Sequence, residues 1–155
     1  LESAQMFRGS SSINLDAKGR LAVPSRYRQE LEERCEGQVV ITLDLHEPCL
    51  CLYPMQEWER IEAQISRIPS MRPEARSLQR LLVANAIDTE LDGSGRLLIP
   101  PRMRTHAKLD KHVMLVGLSH KFQIWDEATW NNQFAEDLDF IRQAELPEEL
   151  QNLVL

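Results

Sequence analysis

The sequence has no unbroken run of about 18 apolar residues, so it offers no segment that would cross a bilayer as a helix. It also lacks, near its start, the basic region, apolar stretch and small-residue cleavage site of a secretory leader, which predicts a cytoplasmic protein. Cysteine is scarce. Cys35, Cys49 and Cys51 are too few, and odd in number, for a disulfide framework, as suits a reducing compartment. Positive charge is in deficit, with 18 Lys and Arg against 24 Asp and Glu, and the net charge of -6 weighs against nucleic acid as a partner for the average surface.

Catalytic signatures are missing too. His46, His106, His112 and His120 are scattered with no nucleophile motif beside them. The Gly-Ser-Gly at 93–95 reads as a hairpin turn, whereas a phosphate-binding loop needs a helix directly after it. Cys49 and Cys51 have the wrong spacing for zinc, lack a second cysteine pair, and on a strand would share one face as small buried hydrophobes, although with His46 they are the nearest thing to a metal-ligand set. Asp88, Glu90 and Asp92 alternate along one strand face, either a solvent-facing acidic strip or a metal site. No cofactor is expected, and no enzyme.

What is present is a duplication. Leu15–Arg28 and Leu91–Arg104, offset by 76, share Leu15/Leu91, Asp16/Asp92, Gly19/Gly95, Arg20/Arg96, Leu21/Leu97, Pro24/Pro100, Arg26/Arg102 and Arg28/Arg104, which is eight identities in 14 positions. Farther on, "LYPMQEW" from Leu52 answers "IWDEATW" from Ile124 at an offset of 72. Two copies make a duplicated small domain, since a solenoid needs about three to bury its core. Residues 1–5 precede Met6 and read as an expression scar; 6–83 form the first copy with its following helices, and 84–155 the second with a C-terminal helix and tail.

Each copy predicts a strand, a tight turn, a short return strand forming a hairpin, a helix, a second hairpin and an amphipathic helix. Gly19 and Gly95 supply the positive φ the turns require, the second turn being the looser. Pro24 opens a helix over 25–34, with Gly37 just past its end, and the helix after Pro100 is short. Trp58, Ile61 and Ile65 predict one buried helical face, and Trp130, Phe134, Leu138 and Ile141 another. The acidic-then-apolar tail reads as a mobile end or a docking peptide.

Charge is polarised along the chain. Between Arg8 and Arg28 five cations (Arg8, Lys18, Arg20, Arg26, Arg28) face one acid, Asp16, whereas the segment from Asp126 onward holds eight acids and one arginine. Asp16 would shape its turn by accepting from backbone N–H groups, leaving Lys18 and Arg20 to project outward. A basic hairpin of this size suits a DNA major groove, with arginine on guanine and lysine on phosphate. An ordinary solvated turn with a structural Asp–Arg pair is the competing reading. In the second copy Asp88, Glu90 and Asp92 cancel the basic excess, so Asp92, Gly95 and Arg96 are expected to shape a turn without reading DNA.

The doubled Leu-Asp-x-x-Gly-Arg-Leu-x-x-Pro-x-Arg-x-Arg, with "MFRG" at Met6 and a hydrophobic hairpin and amphipathic helix after each copy, resembles the MraZ family of bacterial transcriptional regulators, from Met6 onward. The resemblance implies an α+β fold, a swapped-hairpin AbrB-like β-barrel built from the two repeats with flanking helices. It implies a ring-shaped homo-oligomer that binds short direct repeats in double-stranded DNA upstream of the division and cell wall gene cluster, its own promoter included, usually as a repressor, in the cytoplasm on the nucleoid. The family's Asp-x-x-x-Arg signature falls on Asp16 and Arg20 and on Asp92 and Arg96. An antitoxin of the same fold with a protein partner, and a methyltransferase-associated factor, are the alternatives; no glycine motif for S-adenosylmethionine is visible.

Overall fold

The computed structural model describes residues 6–155, so the scar expected at 1–5 lies outside the described residues. Each copy runs in the same order. The first comprises β1 (Phe7–Asn14), β2 (Arg20–Ala22), α1 (Ser25–Cys35), β3 (Gln38–Leu43), β4 (Leu50–Pro54) and α2 (Met55–Ser66). A link of α3 (Pro73–Leu78) continued by a π-helical turn, Gln79–Val83, leads to the second: β5 (Ile87–Glu90), β6 (Arg96–Leu98), α4 (Pro101–His106), β7 (His112–Ser119), β8 (Lys121–Asp126) and α5 (Glu127–Gln143). A four-residue α6, Glu148–Gln151, lies in the tail.

The strands make a mostly antiparallel α+β arrangement: a six-stranded sheet ordered β1-β7-β8-β4-β3-β5, and a separate β2–β6 ribbon. This corrects the simple first hairpin. The turn between β1 and β2 forms, but its two arms share one bridge, Leu15 with Leu21. β1 instead pairs along its whole length with β7 of the other copy, Phe7 opposite Ser119 through Asn14 opposite His112, and β5 pairs with β3 of the first copy. The pairing is two-fold. Leu21 faces its own repeat mate Leu97 across the ribbon, and Cys51 faces its mate Gln123 across β4–β8.

One face of the sheet and the ribbon enclose the main core. Leu21, Leu97, Ile99, Val39, Ile41, Leu50, Leu52, Leu115, Phe122 and Ile124 are wholly buried there. α1 adds Tyr27, Leu31 and Cys35 at helical spacing and ends where Glu36 and Gly37 turn left-handed, their N–H groups donating to Glu32 and Leu31 carbonyls. On the opposite face, Cys49, Val116 and Trp125 are buried, with Trp130 of α5 packed edge-on against Trp125. Trp58 of α2 packs against Tyr53. Thr42 donates to the Leu82 carbonyl in the π-helical turn.

The predicted face of α2 is partly right: Trp58 and Ile65 are buried and Ile61 is half-buried. That of α5 is not covered by the described residues beyond Trp130. Phe134, Leu138 and Ile141 are 59%, 40% and 52% exposed, and none of the helix's residues is fully buried.

Candidate functional site

The two turns are built alike, atom for atom. In the first, the Asp16 N–H donates to the Arg20 carbonyl (2.9 Å) and the Gly19 N–H to the Asp16 carbonyl (3.0 Å). Asp16 Oδ1 accepts from the N–H groups of Lys18 and Arg20, each 2.9 Å, and Oδ2 accepts from Arg20 Nε at 2.7 Å. In the second, Asp92 accepts from the Ser94 and Arg96 N–H groups and from Arg96 Nε at 2.8, 2.9 and 3.0 Å. "GSG" therefore closes as tightly as "AKG", contrary to the looser turn expected. Gly19 and Gly95 hold φ of 83° and 73°, as predicted. The Arg20 backbone N–H, foremost, and then the Arg20 side chain and the Lys18 N–H hold the Asp16 carboxyl down at about 2. The same contacts lower Asp92.

The shaping role expected of Asp16 and Asp92 is thus present, but Arg20 is not free. Its Nε side is held by Asp16, and its terminal Nη groups have no partner among the described residues. A half-exposed pair of this kind adds little stability; its effect is to fix where the guanidinium points. Lys18 stands exposed at the tip.

The five cations do not form one patch. Arg28 crosses to the other copy, where its Nη1 donates to the Ser94 carbonyl (3.2 Å) and its stem lies over Gly95. Arg26 stacks on Tyr27, its Cζ 4.4 Å from the ring centre, and donates to the Tyr27 hydroxyl, which in turn donates to the Arg8 carbonyl. Arg8 and Arg26 sit at the far end of β1, about 20 Å along the strand from the turn at about 3.3 Å per residue.

Residues outside the five expected cations replace them. Arg104, the mate of Arg28, lies over Gly19, where an added Cβ would stand 2.6 Å from its Cζ, and is anchored by its Nε on the Ile99 carbonyl at 3.0 Å. The Leu15 N–H donates to the Lys111 carbonyl (2.8 Å), drawing the loop before β7 against the turn; a groove of about 370 Å³ lies between them, lined by Asp16, Ala17, Arg104, Asp110 and Lys111. His112 Nδ1 lies 2.8 Å from Asn14 Oδ1 at its shoulder. The matching bond at the second turn runs from the Leu91 N–H to the Gly37 carbonyl, so Gly37 stands where Lys111 does and Glu36 where Asp110 does.

Charge therefore separates two turns of one shape. Around the first, Lys18, Arg20, Arg104 and Lys111 outnumber Asp16 and Asp110; around the second, Arg28 and Arg96 only balance Asp92 and Glu36. Asp88 and Glu90, exposed on β5, then make the second negative where the first has Ser12 and Asn14. Glu90 is tied to Gln38 Nε2 at 2.6 Å and Asp92 is turned into its own loop, so the three acids do not converge.

Cys49 and Cys51 are buried as expected, at 0% and 2% exposure, and burial raises both thiols, Cys51 to about 12. Asp44 lies beneath them, taking contacts from Cys51 Sγ (3.3 Å) and Gln123 Nε2 (3.1 Å), while Gln123 accepts from Trp125 Nε1 (2.9 Å). No group of three metal-ligating side chains gathers among the described residues. No helix among the described residues is long and apolar enough to cross a membrane.

Comparison with known proteins assigns both halves to one family. The family described as "MraZ protein, putative antitoxin-like" matches twice, over residues 6–81 and 82–150. Proteins named "Transcriptional regulator MraZ" from Pseudomonas putida and Pseudomonas aeruginosa are 59% identical to this chain, and one from Pseudomonas entomophila 58%, each over 151 residues, 97% of this chain and 100% of the relative. Two tandem matches and near-complete coverage by relatives of one name establish that the chain belongs to the MraZ family.

Proposed function

We propose that the chain is a sequence-specific DNA-binding transcriptional regulator, not an enzyme, whose first turn is the reader. The observation that carries this is the locked turn at Asp16–Arg20: a rigid loop that aims an arginine fixed at one edge, with Lys18 at its tip, inside the more positive of two like-shaped surroundings. Fixing the guanidinium beforehand reduces the ordering needed on contact, and arginine aimed at a guanine edge supplies specificity while lysine on phosphate supplies affinity. The relatives' shared name, which describes transcriptional regulators, supports the same reading.

The finer proposal is repression of the division and cell wall gene cluster, including the chain's own promoter, through short direct repeats, in the cytoplasm on the nucleoid. The sheet and ribbon together would act as the swapped-hairpin AbrB-like barrel, with 6–83 and 84–155 as its two units. Several weak turns must act together, because a single turn with two outward cations binds feebly and neighbours on one scaffold gain by effective concentration. A ring of copies supplies this, and the uncovered Phe134, Leu138 and Ile141 of α5 are the apolar surface such contacts need. A gel shift with the DNA upstream of the chain's own gene, at several salt concentrations and with its repeats deleted one by one, tests the proposal. Retention should fall sharply once one repeat remains, and equal retention of scrambled DNA would defeat it. Native mass spectrometry showing monomer alone at micromolar protein would defeat the ring.

A further inference from the structure

We infer that the DNA-facing surface at the first turn is a composite of both copies, in which Lys111 of the second copy is a phosphate contact and Arg104 positions the turn; the inference rests on the reading of that turn proposed above. The pairing that exchanges β1 and β5 between copies brings the loop before β7 beside the first turn and holds it by the Leu15–Lys111 backbone bond of 2.8 Å. Lys111 lines the groove that runs between loop and turn, and Lys18 follows directly on Ala17 of the opposite wall; both lysines are exposed. Arg104, half-buried and anchored on the Ile99 carbonyl, packs against Gly19, so it fixes the turn's position while adding charge to the groove wall.

The acids around Lys111 define the direction from which DNA comes. Asp110 precedes it and Asp16 lies across the groove, but Asp16 is occupied by its own turn. Asp126 and Glu127 border the Lys111–His112 segment on its other side, where Asp126 caps α5 through Thr129 and Glu127 accepts from Ser12 Oγ at 2.8 Å. These acids close that side to phosphate and leave the groove beside Lys18 as the approach. At the second turn the matching position is Gly37, with a φ of 72° and no side chain to offer, and the matching tip is Ser94. The two lysines are therefore what one composite surface has and the other lacks.

The experiment measures fluorescence anisotropy of a labelled duplex from the DNA upstream of the gene, across a salt series, with the full chain and the variants Lys18→Ala, Lys111→Ala and Lys111→Arg. Lys111 bonds to the turn through its backbone carbonyl and its side chain is exposed, so these variants should keep the fold, to be checked by circular dichroism and native mass against the parent. Each alanine should lower the slope of log affinity against log salt by about 0.9 for every phosphate left without its lysine, and Lys111→Arg should restore it. If Lys18→Ala lowers the slope and Lys111→Ala does not, the first turn reads DNA alone and the composite is overturned while the proposed function stands. If neither lowers it, both readings fall.

Discussion

The first and second turns have the same backbone, the same Asp–Arg lock and the same arginine borrowed from the other copy, yet opposite electrostatic settings. The difference lies in few positions: Lys18 against Ser94, Lys111 against Gly37, and Ser12 and Asn14 against Asp88 and Glu90. Shape and charge are thus separable here. The lock is what the fold requires of both turns, and the lysines are what a polyanion would require of one.

The comparison breaks most readily at its arginines. Arg20→Ala and Arg96→Ala each remove one Asp–Arg lock, so both should cost the fold a similar small amount, and Arg96→Ala serves as the control for that loss. On DNA they should part. Arg20→Ala should cost about 1–3 kcal/mol per engaged site and relax sequence preference, compounded across an oligomer, while Arg96→Ala leaves affinity near that of the parent. Anisotropy on variants that keep the parent's native mass decides it, and an Arg96→Ala that abolishes binding while Arg20→Ala binds normally would reverse the assignment.

The glycines come next. Alanine at Gly19 or Gly95 must adopt a left-handed φ, worth about 1–2 kcal/mol, and its Cβ would also collide with the covering arginine, Arg104 or Arg28. Thermal unfolding should show both variants destabilised. Only Gly19→Ala should also weaken DNA binding, because only there does the displaced arginine belong to the positive surface. Equal losses of affinity from the two would show that both turns touch DNA.

The local features of this site were legible in the sequence, since Asp, Gly and Arg in one short turn carry their own chemistry. Asp16 on the turn N–H groups, the positive φ of Gly19 and Gly95, and the helix after Pro24 all follow from neighbours in the chain. What the residue pattern by itself concealed, and only the family resemblance implied, is exchange between copies. A strand pattern states that a strand exists but not which strand it meets, and β1 finds β7 about a hundred residues away. Arg28 therefore counted toward the wrong turn, and Lys111, in an unrepeated stretch, drew no notice. The apolar face of α5 was read correctly as a pattern, but a pattern does not say whether the chain packs anything against it, and Phe134, Leu138 and Ile141 stay exposed.

A smaller effect tests the far end of β1. The Tyr27 hydroxyl links Arg26 to the Arg8 carbonyl, while Met103 takes the same place in the second copy and has no hydroxyl to offer. Tyr27→Phe should lower stability by about 1 kcal/mol, the net worth of a typical hydrogen bond, measured by urea unfolding. Its affinity for DNA should match that of the parent, because this link lies about 20 Å along the strand from the first turn. Loss of binding at full stability would bring Arg8 and Arg26 back into the interface.

The finest test of likeness is protonation. The Asp16 and Asp92 carboxyls are both lowered by N–H donors that favour the charged form, Asp16 to about 2 from an ordinary 3.8. A carboxyl lowered on folding stabilises the folded chain above its ordinary value, and that contribution disappears as pH falls through the folded one. The first lock should therefore persist through pH 3 and open near pH 2, provided the remaining fold survives. Arg20 Nε stands 2.7 Å from Asp16 and Arg96 Nε 3.0 Å from Asp92, so Asp16 should be the later of the two to take its proton. NMR titration of the Arg20 and Arg96 backbone amides reads each carboxyl separately. A midpoint for Arg20 at the ordinary 3.8 would mean that the lock does not hold in solution, and the fixed aim of Arg20 on which the reader rests would be lost with it.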